Sequence, residues 1–91
     1  MNRKVLADMN CPTPVSWAND VQKLFTPTDV AHMKAVTHGA LDLSSYDSVK
    51  IWSAKIYDEV SSGNMPPPPE SKWTDLMVQT FGCWIQQGFP Q

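Results

Sequence analysis

Two histidines, two cysteines, paired serines and a few adjacent carboxylates make up the reactive material of this 91-residue chain. His32 and His38 form neither a His-x-x-x-His nor a His-Glu-x-x-His pair, and a Gly-containing turn beside them leaves them poorly placed to hold one metal ion. Ser44-Ser45 and Ser61-Ser62 fall at expected helix ends, where capping accounts for a hydroxyl without any nucleophilic role. Asp58 and Glu59 point to different faces of an expected helix and read as solvated. Cys11 and Cys83 lack the short spacing of a zinc site or redox centre. If the start of the chain folds back on the last helix, they can form a disulfide closing a loop of about 70 residues, although such a bond should not persist in a reducing cytosol. The alternative is a buried Cys83 beside a free Cys11. On these residues the chain has no catalytic group and no metal ligands, and the expectation is that it is not an enzyme.

The elements that would position these groups are helical. Residues 1–15 carry no apolar period and run into Cys11-Pro12-Thr13-Pro14, so they read as an extended tail before a single domain at 16–91. Ser16 can cap a short helix whose Trp17, Val21, Leu24 and Phe25 share one face. Thr26-Pro27-Thr28-Asp29 has the capping-box pattern and opens a second helix with Val30, Met33 and Val36 as its stripe. A turn at Thr37-His38-Gly39-Ala40 leads to Leu41-Asp42-Leu43, whose leucines can pin a loop to the core.

Ser44-Ser45-Tyr46-Asp47 starts a third helix in which Val49, Trp52, Ile56 and Val60 repeat at three and four residues, with Gly63 as a left-handed stop. Pro66-Pro67-Pro68-Pro69 cannot be helical. The last helix begins between Ser71 and Thr74, carries Trp73, Met77, Thr80, Phe81 and Trp84, and ends at Gly88 and Pro90. The result is an all-α domain of four helices with loops at 37–44 and 63–72.

Seven basic against nine acidic residues, a net charge of −2, exclude the clustered Lys and Arg that nucleic acid or an anionic membrane would need. No apolar run approaches the roughly 20 residues of a membrane span. The first residues turn polar too early for a signal peptide, so the expected location is cytoplasmic. Four Trp, three Phe and five Met promise a dense core.

Three stretches carry a resemblance. Leu41-Asp42-Leu43-Ser44-Ser45-Tyr46, Gly63-Asn64-Met65-Pro66-Pro67, and Trp84-Ile85 through Gly88-Phe89-Pro90 resemble the second half of small bacterial c-type cytochromes. The resemblance covers about residues 16–90 and implies a cytochrome-c-like bundle. In that family a Cys-x-x-Cys-His motif binds haem covalently and supplies one axial ligand, and the methionine before the prolines supplies the other. Here Thr28 and Ala31 stand where the cysteines would be, His32 where the histidine would be, and Met65 at the distal position.

The resemblance therefore implies a haem-less domain without cofactor, its cavity closed by Trp and Met side chains such as Trp52 and Trp73. It would be an accessory subunit acting by protein contact on a larger oxidoreductase or metalloenzyme. The expected contact residues are Met65, Pro66, Pro67, Pro68, Pro69 and Trp73, with the tail around Cys11; exposed parts of Trp17 or Phe89 could add anchors. The alternative is a noncovalent haem electron carrier with His32 and Met65 as axial ligands. A third reading is a small-molecule binder using the vestigial cavity, which an apolar pocket of several hundred cubic ångströms would favour.

Overall fold

The computed structural model describes residues 11, 13–65 and 72–91, and these are all-α, helices joined by turns. Hydroxyl side chains open the π-helical turn and α1, α2 and α4. Ser16 Oγ accepts from the Asn19 N–H at 3.1 Å and opens a π-helical turn over Trp17–Val21, which tightens into a 3₁₀ turn over Gln22–Leu24. Thr26 and Asp29 exchange two hydrogen bonds, 3.0 and 3.1 Å, at the head of α1 (Pro27–Val36). This is the capping box expected from sequence, and it explains why the carboxylate of Asp29 is buried. Ser45 caps α2 (Tyr46–Ile51) at 3.3 Å, and Thr74 caps α4 (Asp75–Gln86) at 3.2 Å. Between them α3 (Ser53–Ser62) ends on Gly63, whose φ of 84° needs a residue without Cβ.

The core gathers around α4. Phe81 and Trp84 are fully buried, and the Trp84 ring lies 5.9 Å from Trp17, 5.9 Å from Tyr46, 5.6 Å from Phe81 and 5.1 Å from Phe89. Trp73 and Phe25 extend the cluster at 5.5 Å from each other. Rings in tilted and edge-on pairs at these separations add to the stabilisation from their buried area. Leu41 and Leu43 are buried, as a loop pinned by its leucines requires.

Both ends of the described chain are tied to this cluster. The Trp17 and Ala18 N–H groups donate to the carbonyls of Pro90 and Gln91, the Trp84 indole N–H to Pro90 at 2.8 Å, and the Tyr46 hydroxyl to the Phe89 carbonyl at 2.6 Å. These bonds hold Phe89 at a φ of 63°, unusual for a side chain of its size.

Cys11 and Cys83 form the disulfide that the sequence left open, with Cα atoms 5.5 Å apart, rather than its alternative of a free Cys11. Residues 11 and 13–15 of the expected extended tail are tied to α4 and the turn after it. Val15 is buried, its N–H donates to Gln87 Oε1 at 2.8 Å, and Gln87 Nε2 donates to the Thr13 carbonyl; residues 1–10 lie outside the described set.

The helix expected through Tyr46 to Val60 divides at Trp52, with φ −92° and ψ 8°, where no Gly or Pro marks a break. Val36 does not join a buried stripe; it is 55% exposed. Trp17 and Trp73 are buried among rings and offer little to a partner.

Candidate ligand cavity

Helix α3 packs on α4, α4 on the π-helical turn, and α2 on α3, whereas α1 meets the core through the half-buried Val30 and Met33. The gap it leaves is a cavity of about 330 Å³. One wall comes from α1 and its following turn, with His32, Met33, Val36 and Thr37. The opposite wall comes from Trp52 and α3, with Lys55, Ile56 and Glu59; Leu41 is the apolar floor and Asn64 and Met65 close one end.

Hydrogen bonds fix α1 at both ends. Its start is held by the capping box. At its end Thr37 Oγ1 donates to the Met33 carbonyl at 2.6 Å and accepts from the Leu41 N–H at 3.0 Å, and the Gly39 N–H donates to the Lys34 carbonyl at 2.7 Å. Beyond that turn Asp42 accepts from the Ser44 hydroxyl at 2.5 Å and the Ser44 N–H at 3.0 Å, with the Lys34 ammonium 3.8 Å away. The Ser44 hydroxyl, then its N–H, then Lys34 hold the Asp42 carboxyl below its ordinary pKa. On the other side, Gly63 turns the chain so that the N–H groups of Asn64 and Met65 both donate to the Glu59 carbonyl, at 2.9 and 3.2 Å. That folds Met65 back beneath α3, where it is buried.

Lys55 and Glu59 form an ion pair across one helical turn, 3.5 Å. Thr37 spends its hydroxyl on backbone groups. The imidazole of His32 and the carboxamide of Asn64 have no hydrogen bond to another described residue, so both are open to a ligand.

The structure thus brings His32, Met65 and Trp52 to one cavity, as the resemblance placed them, and leaves it open, although closure by large side chains was expected. Trp73 does not reach it; its ring faces Phe25 and Phe81. Pro66 to Pro69 lie outside the described residues. His38 is exposed in the turn at φ 54°, away from the cavity lining. Met33, Val36, Thr37, Lys55, Glu59 and Asn64 were not assigned to the cavity from sequence. Of these, Met33 and Val36 belong to the apolar stripe expected for α1; Thr37, Lys55, Glu59 and Asn64 carry no such signal.

An imidazole and a thioether are a fitting donor pair for haem iron. The cavity, about 330 Å³, lies at the low end of small-molecule sites, and Thr28 and Ala31, both exposed, offer no thioether link. Among the described residues no group of three metal-ligating side chains forms, and no helix is long and apolar enough to cross a membrane.

No family model and no solved structure matches the chain. Curated proteins do. The chain is 32% identical over 91 residues to Cyclopenase penL of Penicillium thymicola, and 32% identical over 91 residues to Cyclopenase asqI of Emericella nidulans. Each match takes in 88% of this chain and 12% of the relative, so the chain corresponds to a small segment of much longer proteins. Both relatives are named as enzymes, which overturns the expectation from sequence that the chain is not an enzyme.

Proposed function

We propose that the chain is a helical module of an enzyme related to the cyclopenases, and that it contributes a pocket for a small, largely apolar molecule. The cavity between α1 and α3 carries this reading, since its size and apolar lining with a few polar groups match the usual make-up of small-molecule sites. The similarity to a 12% segment of named enzymes supports the module and its enzyme context. A cytochrome-c-like ancestry agrees with His32 and Met65 lining one cavity, and in this reading the old haem site has shrunk to take a smaller guest. Service to a larger enzyme, expected from that ancestry, is kept as membership of that enzyme or contact with it. The Cys11–Cys83 bond fits an oxidising compartment better than the reducing cytosol expected from sequence.

A thermal-shift screen of small apolar compounds tests the pocket. Compounds that raise the melting temperature of the natural chain should have no effect on a Met33→Trp variant, whose added ring fills the cavity from α1. A screen without hits, or hits that act equally on the variant, would overturn the proposal.

A further inference from the structure

Resting on that reading, we propose that the guest is a neutral molecule of one or two aromatic rings bearing a single hydrogen-bonding group. Charge decides the first part. Lys55 and Glu59 on the cavity carry opposite charges and pair with each other at 3.5 Å, so between them they offer a guest no net charge. The walls decide the second. Trp52 offers a flat ring, and Met33 and Met65 offer thioethers from α1 and from the loop after α3. Aromatic rings gain from edge or offset contact with tryptophan and from sulfur at their rim, gains that a saturated guest of equal size does not make.

The polar groups decide the third. Thr37 is committed to Met33 and Leu41, leaving the His32 imidazole and the Asn64 carboxamide as the polar groups without a described partner. Either can donate to or accept from a phenol, a lactam or an amide. The volume of about 330 Å³ limits the guest to roughly the smallest ligands of such sites.

The test is calorimetric titration of the oxidised chain with 2-naphthol, cyclohexanol, naphthalene-2-sulfonate and haem. The expected result is saturable binding of 2-naphthol alone, weakened roughly three- to tenfold in His32→Ala, the change one lost hydrogen bond produces. His32 is exposed, so that variant keeps its fold, and its unchanged melting temperature is the control. Cyclohexanol or the sulfonate binding as well as 2-naphthol would overturn the ligand class and leave the pocket standing. Haem binding with a Soret band lost in both His32→Ala and Met65→Ala would overturn the class in favour of the axial-ligand site. No binding by any of the four, together with a screen without hits, would overturn both the class and the pocket.

Discussion

The two sides of this small domain solve opposite problems. Around α4, rings from Trp17, Phe25, Tyr46, Trp73, Phe81, Trp84 and Phe89 interlock at 5–6 Å, and a disulfide and the C-terminal carbonyls close the seam. Around α1 only the half-buried Val30 and Met33 are among the hydrophobic side chains packed on the core, Val36 is exposed, and a cavity lies beneath the helix. A domain of this size has few residues with which to make a core. Concentrating them on one side leaves the other free of the close packing that would collapse a binding site.

This contrast can be broken at its dense side first. Trp84→Ala removes a fully buried ring that touches four others and should cost about 3–5 kcal/mol, enough to unfold much of the population in a chemical denaturation series. Opening the Cys11–Cys83 bond comes next. Reductant or Cys83→Ser should cost about 2–4 kcal/mol, read as a fall of the melting temperature of roughly 10–20 °C, because the bond spans 72 residues. An unchanged melting temperature in reductant would show that the docked lead-in is held by Val15 and Gln87 alone.

The sparse side should respond more gently. Thr26→Ala deletes one half of the capping box and should cost about 1 kcal/mol by denaturation. Met33→Ala, on a half-buried side chain at the cavity wall, should cost less than about 1 kcal/mol, whereas Leu43→Ala, fully buried in the loop before α2, should cost about 2–5 kcal/mol. Equal losses at the two positions would mean that α1 is packed as tightly as the buried core.

The smallest effect concerns acid. The folded Asp42 carboxyl has a lowered pKa, so its contribution is present above the ordinary carboxylate range and is lost as pH falls through the lowered value. Melting between about pH 5 and about pH 2 should therefore steepen slightly in the natural chain relative to Asp42→Asn.

The dense side was legible in the sequence because its signals are local. Helical spacing found Phe81 and Trp84, and Leu43 was placed on the core; on the other side the capping box at Thr26 and Asp29 was also visible as written. Gly63 and Met65 were placed by their spacing and by a family resemblance. The disulfide was visible only as a possibility, since pairing across 72 residues depends on where the lead-in docks. The break at Trp52 and the exposure of Val36 were not legible. Both depend on what lies opposite α1, and a cavity has no residue of its own to read.

The contrast is tested most directly by methyl NMR of the methionines while the oxidised chain is titrated with 2-naphthol. Met33 and Met65 line the cavity and Met77 belongs to α4, so the account predicts saturable shifts of the first two with the third unmoved. Shifts at Met77 as large as those at Met33 and Met65, or no shifts at all, would contradict it.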